Sequence, residues 1–273
     1  MPQDLAAKAA GFRALHDAPG CFVMPNAWDV GSARLLETAG FAALATTSAG
    51  VNYADGRPDG PGAATREAIL AAYGRIARAV DLPVSGDLEN GYGDRPEDVA
   101  ATIRLAMAEG MAGGGIEDWT GNDDEPYYDI ELAADRIAAA REAGGTSFVL
   151  TARAECFLYG HDNPLDEAVK RLNRYREAGA DCLYAPGPTD DATLKRLVAE
   201  VDGPINVVVG MGGGASREYM AALGVKRIST GGSLYRATAK LVLDAAAEMA
   251  GPGTFGYLAN VLSDAETERL VTG

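Results

Sequence analysis

Cysteine is scarce in this chain, and no long apolar run occurs. The three cysteines, Cys21, Cys156 and Cys182, are far apart and form no C-x-x-C pair. Because isolated cysteines in odd number do not build a disulfide framework, we expect a reducing, cytoplasmic location. No uninterrupted apolar stretch approaches the roughly 18 residues of a membrane span. The first ten residues are typical of an amphipathic helix rather than of a signal peptide.

Positive charge is also scarce. The chain has 24 Lys and Arg against 39 Asp and Glu, and its net charge is −15. A strongly acidic protein is repelled by phosphate backbones, so nucleic acid is not an expected partner. Such a protein can still bind an acidic small molecule if a metal and an arginine concentrate positive potential locally.

Short apolar runs alternate with Ala-rich helical stretches along the 273 residues. Strands are predicted at Cys21–Pro25, Ala42–Thr47, Pro83–Asp87, Gly115–Glu117, Phe148–Arg153, Cys182–Ala185, Ile205–Val209 and Arg227–Ser229. Helices are predicted between them at Val30–Ala39, Thr65–Ala79, Pro96–Ala108, Ile130–Ala143, Pro164–Ala178, Asp191–Val201, Ser216–Leu223 and Ser233–Met249. Strict alternation predicts a (β/α)₈ barrel in a single domain, residues 1–273. An open, doubly wound sheet is the alternative.

The tail is not part of this alternation. After Gly251-Pro252-Gly253 the residues 254–271 have a helical pattern of apolar positions. A further C-terminal helix behind a Pro/Gly break can pack on its own barrel. It can also be swapped onto a neighbouring subunit.

Acidic residues follow the third and fourth predicted strands. Asp87 and Glu89 are two residues apart and therefore project to the same side of an extended strand. Glu117 follows the next strand, and the carboxyl ends of barrel strands meet at one face. Mg²⁺ takes few direct carboxylates and keeps several waters, so we expect Asp87 to bind it directly. Glu89, Glu117 and Asp59 would hold the metal-bound waters, unless these acids are ordinary solvated turn residues.

Residues suited to binding a carboxylate follow other strands. Arg153 ends the fifth strand, and its planar fork matches a carboxylate with two hydrogen bonds. Thr47, Ser48 and Ala49 end the second strand and can offer hydroxyl and backbone N–H groups. The alternatives are a structural ion pair of Arg153 with Glu155, and ordinary polar turn chemistry for the second strand.

Other chemistries have weaker support. The five lysines are at positions 8, 170, 195, 226 and 240, and none ends a predicted strand, which argues against a Schiff-base aldolase. His16 and His161 have no metal-ligand spacing. We expect His16 at the surface and His161 in a solvated loop. The glycine-rich run 210–214 resembles a phosphate-binding loop, or is a flexible turn.

These motifs together resemble the isocitrate lyase/phosphoenolpyruvate mutase superfamily over nearly the whole chain. The segment Asp87-Leu-Glu-Asn-Gly-Tyr-Gly93 is similar to the family's D-x-D-T-G-Y/F-G. Further similarity lies in Pro25-Asn-Ala-Trp-Asp29, in Ile116-Glu-Asp118, and in Thr151-Ala-Arg-x-Glu155. Thr46-Thr-Ser-Ala49 stands where the family has an S-G-containing turn.

The resemblance implies a barrel with a swapped C-terminal helix, assembled as dimers or tetramers. It implies Mg²⁺ or Mn²⁺ as the cofactor, and a 2-oxo or dicarboxylic acid as the small-molecule partner. By the same match Asp87, Glu89, Glu117 and Asp59 surround the metal, with Glu117 and Arg153 as catalytic residues. Substrate-binding residues would be Thr47, Ser48, Ala49, Arg153 and Asn206.

The chain departs from the family at the loops that control the reaction. Lyases of the family carry K-K/R-C-G-H on the mobile loop after the strand-3 motif, and mutases carry a lysine-containing gate after the strand-4 Glu. The region around Asp94–Glu97 and the loop after Glu117 both lack the lyase sequence. The loop after Glu117 reads Trp119-Thr-Gly-Asn-Asp-Asp-Glu-Pro126, without cysteine or lysine. The family's histidine after the sixth strand is replaced by Ala185-Pro-Gly-Pro188, and Glu89 replaces the usual second Asp.

These features favour a metal-dependent enzyme that cleaves a carbon–carbon bond of a 2-oxo acid, or of its adduct, through an enolate. A lyase, a decarboxylase and a hydrolase all fit this description. One alternative is mutase or phosphonopyruvate hydrolase-like cleavage of a P–C bond, which the acidic gate disfavours. Two others are a non-catalytic 2-oxo acid binding protein and a phosphate-binding barrel isomerase.

Overall fold

The computed structural model describes residues 2–60, 62–188, 190–210 and 216–272. Within them lie nine strands: β1 (Phe22–Met24), β2 (Asn26–Ala27), β3 (Leu44–Thr46), β4 (Val84–Asp87), β5 (Gly113–Glu117), β6 (Val149–Arg153), β7 (Cys182–Tyr184), β8 (Ile205–Val208) and β9 (Arg227–Ser229). Every pairing is parallel, in the order β1-β9-β8-β7-β6-β5-β4-β3-β2. Because β1 and β2 are consecutive in the chain, the sheet forms a nearly closed barrel.

Pro25 divides the first predicted strand in two. It has no backbone N–H to give to a ladder, although its carbonyl accepts a hydrogen bond from Ala45 at 2.9 Å. Before it β1 pairs with β9, and after it β2 pairs with β3. The two short strands therefore occupy one place in the barrel, and the predicted (β/α)₈ architecture is confirmed.

Helices cover the barrel: α1 (Pro2–Asp17), α2 (Val30–Thr38), α3 (Ser48–Ala54), α4 (Arg66–Ala79), α5 (Pro96–Ala108), α6 (Ile130–Gly144), α7 (Pro164–Glu177), α8 (Asp191–Glu200), α9 (Arg217–Leu223), α10 (Ser233–Ala250) and α11 (Asp264–Thr272). The eight predicted barrel helices have these bounds to within one residue. In the described part of the chain, no helix is both long and apolar enough to cross a membrane.

The helix ends follow from local chemistry. The side chains of Thr65, Asp190 and Ser216 each accept a hydrogen bond from the backbone N–H three residues on, which satisfies a donor of the first helical turn. Gly224 follows α9 with φ 92°, a left-handed conformation that suits glycine. These signals explain why the sequence located the helices well.

The predicted tail helix over 254–271 is wrong in extent. The chain forms a short 3₁₀ turn at Gly256–Asn260 and then α11. Glu248 of α10 accepts hydrogen bonds from Thr254 Oγ1 at 2.7 Å and from the backbone N–H of Tyr257 at 3.2 Å, so the chain folds back on α10. Arg34 of α2 donates to the carbonyl of Thr272 at 3.1 Å. The tail thus contacts its own barrel, and helix swapping stays a prediction.

His16 is buried, so its predicted place at the surface is wrong. The helix α1 extends beyond the ten residues expected of it and packs under the barrel. There His16 is 5% exposed and lies edge-on to Phe12 and Phe22. Its Nδ1 is 3.0 Å from the carbonyl oxygen of Phe12, and its Nε2 is 3.3 Å from the guanidinium of Arg227. The ring closes one end of the barrel.

We expect the stability difference between the wild type and the His16→Gln variant to depend on pH. Burial, with the nearby charge of Arg227, lowers the pKa of His16 from 6.5 to about 3. Below pH 6.5 the unfolded chain takes up a proton that the folded chain resists down to about pH 3. The contribution of His16 to the free energy of unfolding is therefore complete above pH 6.5. It falls by about 1.4 kcal/mol per pH unit as the pH drops from 6.5 toward 3.

Urea unfolding of both proteins from about pH 7 to pH 4.5 measures this contribution. The difference in free energy of unfolding between wild type and His16→Gln should shift steadily with pH. The matched control is His161→Gln, which changes a partly exposed loop histidine. Parallel curves for wild type and His16→Gln would show that His16 is not the titrating group.

Large apolar side chains are exposed near the C-terminus. Leu241, Val242 and Leu243 of α10 are 62 to 66% exposed, and no residue of α10 is buried. The exposed side chains of the tail are Phe255, Leu258, Val261 and Leu262. We name these seven residues the C-terminal apolar surface. Exposed apolar side chains that adjoin one another usually mark an interaction site.

Candidate active site

One cavity of about 390 Å³ opens at the carboxyl ends of the strands. The nine site residues predicted from the sequence all line it: Thr47, Ser48, Ala49, Asp59, Asp87, Glu89, Glu117, Arg153 and Asn206. Parallel strands bring their carboxyl ends to one face of a barrel, so residues far apart in sequence converge there. The convergence is a property of the fold, while the role of each residue stays a prediction.

Asp87 is held on both carboxylate oxygens. Its Oδ2 accepts hydrogen bonds from the backbone N–H of Ser48 at 3.1 Å and from Ser48 Oγ at 3.0 Å. Its Oδ1 is 3.1 Å from Arg153 Nη1. Tyr73 donates to the Asp87 carbonyl at 3.0 Å. The carboxylate is therefore fixed before any ligand binds, and the Ser48 hydroxyl is engaged by the protein itself.

Arg153 lies among three carboxylates. Its nitrogens are 3.1 Å from Asp87, 2.9 Å from Glu117 and 2.8 Å from Glu155. The ring of Tyr184 lies 5.3 Å from the guanidinium carbon. The ion pair with Glu155, considered above as an alternative role, is present together with contacts to two predicted metal-site acids. Arg153 is thus the cation around which the acidic site is organised.

The cluster carries more negative than positive charge. One guanidinium faces Asp87, Glu117 and Glu155, while Glu89 lines the same cavity. Burial raises the pKa of Glu117 well above its ordinary range. The charge of Arg153 opposes this shift, and the neighbouring acids add to it. Burial also raises the pKa of Glu89 to about 7, followed by the charge of Asp87. The surplus of carboxylates suits a site that receives a further cation.

Glu89 does not lie on a strand, contrary to the expectation that Asp87 and Glu89 project together from one. Strand β4 ends at Asp87, and Leu88 turns into the apolar core with no exposed surface. Glu89 has a left-handed backbone with φ 51°, and its carbonyl accepts from the N–H of Glu117 at 3.0 Å. A tight turn, closed by Gly91 N–H on the Leu88 carbonyl at 2.8 Å, therefore carries Glu89 into the cavity.

The donor set fits Mg²⁺ through few direct contacts. Among the described residues, no three His, Cys, Asp or Glu side chains are grouped closely enough to hold a metal together. Mg²⁺ needs no such group, because it commonly keeps several waters and takes one or two carboxylates. Asp87 offers carboxylate oxygens in the cavity, which Glu89 and Glu117 also line. Asp59 lies at the exposed rim.

The loop after β5 forms a small hairpin over one side of the cavity. Trp119 pairs with Tyr127, and the N–H of Thr120 donates to the carbonyl of Pro126 at 3.0 Å. The indole of Trp119 stacks on the ring of Tyr159, with centroids 4.5 Å apart and planes 8° from parallel. This loop, residues 119–126, is named the gate hairpin below.

Three aromatic residues of the cavity were not predicted from the sequence. Trp119, Tyr159 and Tyr184 all line it. Tyr184 ends β7, and its position at a strand end was the available signal. Trp119 and Tyr159 lie in loops, where no periodicity marks them. Among the described lining residues there is no Cys, Lys or His. His161 contacts Tyr127 instead.

Asn206 lies deep in the cavity with its amide engaged. Its Oδ1 accepts from Arg227 Nε at 2.8 Å, and its Nδ2 donates to Ser229 Oγ at 3.0 Å. Substrate binding by Asn206 would require exchange of one of these bonds. Of the glycine-rich run 210–214, Gly210 lines the cavity, and residues 211–214 lie outside the described part of the chain.

The carboxylate of Asp118 braces the wall of the site. It is 2% exposed and accepts from Tyr175 at 2.6 Å, from Arg171 at 3.1 Å and from the backbone N–H of Glu155 at 2.9 Å. These bonds tie β5 to α7 and to the end of β6. Asp118 therefore supports the strand ends and does not itself line the cavity.

Comparison with sequence families gives one match over most of the chain. The family of phosphoenolpyruvate phosphomutase matches residues 12–250. An uncharacterized protein of Mycobacterium tuberculosis is 34% identical over 226 residues, which is 83% of each chain. An oxaloacetate decarboxylase of Pseudomonas paraeruginosa is 28% identical over 263 residues, covering 93% of this chain and 89% of that one.

Comparison with solved structures also gives matches over nearly the whole chain. A protein of Burkholderia cenocepacia J2315 classed as a lyase or mutase is 47% identical, with a TM-score of 0.95 over 99% of this chain and 98% of that one. A phosphonopyruvate hydrolase bound to oxalate and Mg²⁺ is 26% identical, with a TM-score of 0.87 over 96% of this chain and 94% of that one. Both similarities extend over the whole barrel.

Proposed function

Because the chain belongs to the phosphoenolpyruvate phosphomutase family, we propose that it is a Mg²⁺- or Mn²⁺-dependent enzyme acting on a 2-oxo carboxylic acid. The reaction is cleavage of a carbon–carbon bond in that acid or its adduct, as in a lyase, decarboxylase or hydrolase. The observation that carries the proposal is the cluster of Asp87, Glu117 and Glu155 around Arg153, with Glu89 beside it. Its surplus of carboxylates suits a divalent cation.

Four residues would hold the cation. Asp87 would bind it directly, and Glu89, Glu117 and Asp59 would hold its waters. When bound, Mg²⁺ supplies Lewis-acid stabilisation of the negative charge that develops on a keto oxygen. The hydrogen bonds of Ser48 keep the Asp87 carboxylate in one orientation.

Arg153 would bind the substrate carboxylate. Its fork now contacts three protein carboxylates, so release of Nη1 from Asp87 would leave one edge for a ligand. Ala49 lies in the first turn of α3, where backbone N–H groups have no helical carbonyl to bond. Its N–H can meet an oxygen of the same ligand. These groups orient a 2-oxo acid against the acidic cluster.

Tyrosine hydroxyls can hold a proton in this cavity. Burial raises the pKa of Tyr159 and of Tyr184, so both stay protonated at neutral pH. Both line the cavity, where no Cys, Lys or His is found among the described residues. A proton for the enolate carbon would then come from one of these hydroxyls or from water.

Assays on a substrate panel with Mg²⁺ test the proposal. Oxaloacetate, methylisocitrate-like and dimethylmalate-like acids probe carbon–carbon cleavage, and phosphonopyruvate probes the P–C alternative. The gate hairpin carries exposed Asp123, Asp124 and Glu125, which disfavour a phosphonate. Turnover of a carbon–carbon substrate above an Asp87→Ala control supports the proposal. No turnover with any of them would overturn it.

A second candidate is a binding protein for 2-oxo acids without catalysis. It is favoured by the lack of Cys, Lys and His among the described residues that line the cavity. Calorimetric titration with pyruvate and 2-oxoglutarate separates the candidates. Tight binding that needs Mg²⁺ but gives no turnover would establish the second, and binding that ignores Mg²⁺ would contradict both.

We further propose that the chain assembles into homodimers or homotetramers through the C-terminal apolar surface. We expect the wild type to have at least twice the monomer mass in light scattering. The Leu243→Arg variant should shift toward the monomer, because it places a charge among seven exposed apolar residues. The control is Leu105→Arg, an exposed leucine of α5 outside this surface. A monomeric wild type would contradict the proposal.

A further inference from the structure

A second, smaller cavity of about 190 Å³ lies beside the first. Glu89, Glu117 and Trp119 line both cavities, so the smaller one adjoins the proposed metal carboxylates. Its remaining wall includes Asn52 of α3, Ile69 of α4 and the ring of Tyr92. A ligand anchored in the first cavity can extend into this space past Trp119.

Two residues of this wall each have a polar side-chain atom that is buried without a partner in the described chain. Tyr92 Oη and Trp119 Nε1 are shielded from solvent, and neither has a hydrogen bond within the described chain. Buried polar groups in folded proteins are nearly always hydrogen-bonded, so two such atoms on residues that line one cavity need an explanation. An indole N–H only donates, so its missing partner must be an acceptor.

The backbone is strained at two residues that line this cavity. Glu89 and Tyr92 have φ of 51° and 60°, and they are the two described non-glycine residues with positive φ. Such conformations are costly for residues other than glycine and are concentrated at functional sites. This left-handed backbone conformation places the side chains of Glu89 and Tyr92 at the wall of the smaller cavity.

The charges around the cavity restrict what it can accept. Glu89 and Glu117 line it, whereas no Arg or Lys is among its described lining residues. A terminal carboxylate would face two carboxylates without a cation of the protein beside it. A methyl group would leave both buried donors unpaired. An uncharged oxygen, as in a hydroxyl or carbonyl, avoids both penalties.

We propose that the smaller cavity is a substrate subsite for an uncharged, oxygen-bearing end of the 2-oxo acid, with Tyr92 and Trp119 as specificity-determining residues. This inference rests on the proposed function, because the acid end must be anchored in the first cavity. It defines the substrate class as a 2-oxo acid with a terminal hydroxyl or carbonyl group.

Three ligands of matched length, with oxalate as a fourth, test the subsite in the presence of Mg²⁺. The terminal group is a hydroxyl in 5-hydroxy-2-oxopentanoate, a methyl in 2-oxohexanoate and a carboxylate in 2-oxoglutarate. Oxalate has no extension and reports on the first cavity alone. We expect the hydroxyl ligand to bind roughly tenfold or more tightly than the other two acids, in Kd or in KM where it is turned over.

Conservative variants test whether Tyr92 and Trp119 cause the preference for the hydroxyl ligand. Tyr92→Phe and Trp119→Phe each remove one donor and keep an aromatic ring, so each should reduce the preference for the hydroxyl ligand. Oxalate binding should stay unchanged in Tyr92→Phe, because Tyr92 does not line the first cavity. Tyr127→Phe is the matched control. Its hydroxyl is also buried and unpaired in the described chain, but Tyr127 lines neither cavity. It should keep the full preference.

The outcomes separate the two proposals. If oxalate binds and the three acids bind with equal affinity, the smaller cavity holds only solvent. This result overturns the subsite and leaves the proposed function standing. A preference that survives in both Phe variants also overturns it. Failure of oxalate and of all three acids to bind with Mg²⁺ overturns the proposed function and the subsite together.

Discussion

The Asp87→Ala variant is expected to lose about a thousandfold or more in kcat/KM on any 2-oxo acid that the wild type turns over. A metal that stabilises transition-state charge contributes several kcal/mol, and each 1.4 kcal/mol or so is a factor of ten. Asp87 is the best-placed direct ligand, because Ser48 and Arg153 fix both of its oxygens. The variant should also lose any rise in melting temperature that Mg²⁺ gives the wild type.

The fold should survive this change. Arg153 keeps its contacts with Glu117 and Glu155, and removal of one acid relieves repulsion in a crowded site. The control is Asp135→Asn, which removes an exposed carboxylate on α6. It should keep full activity and the response to Mg²⁺. Metal-dependent turnover that persists in Asp87→Ala would place the metal elsewhere.

The Arg153→Met variant should lose roughly 3 to 5 kcal/mol of stability together with its activity. Arg153 is 18% exposed and is the shared partner of three carboxylates, two of which are almost fully buried. Removal of one partner from a buried ion pair leaves an uncompensated buried charge, which strongly destabilises the folded state. Urea unfolding with a metal chelator present measures the loss.

Two further variants make this result specific. Arg153→Met combined with Glu155→Gln should recover part of the lost stability, because Glu155 is 1% exposed and, among the described residues, forms its ion pair with Arg153 alone. Arg174→Met breaks the exposed pair of Arg174 with Glu131, which is 63% exposed, and should cost less than about 1 kcal/mol. Equal losses for Arg153→Met and Arg174→Met would mean that Arg153 does not hold the cluster together.

The sequence located the acidic site better than it described its geometry. It placed Asp87 and Glu89 at one strand end by the two-residue period of an extended chain. Both residues do line the cavity. The period fails at Leu88, however, because its side chain packs into the core and the chain turns there with Glu89 at φ 51°. Packing and ladder bonds to β5 decide this turn, and neither is visible in a local pattern.

His16 shows the same limit for burial. A lone histidine in an Ala-rich first helix resembles a surface residue. It is buried because α1 closes the end of the barrel, where Arg227 and the aromatic rings of Phe12 and Phe22 surround it. The position of the gate hairpin is also not visible in a local sequence pattern, because the stacking of Trp119 on Tyr159 joins two loops 40 residues apart in sequence.

By itself, the sequence determined the barrel, the bounds of eight of its helices and nine of the residues that meet in the cavity. Capping residues, left-handed glycines and strand ends act over a few residues, so a linear pattern records them. The tertiary structure alone decided the shared role of Arg153, the turn at Glu89, the burial of His16 and the cavity beside Tyr92 and Trp119. These depend on which distant side chains come together when the barrel closes.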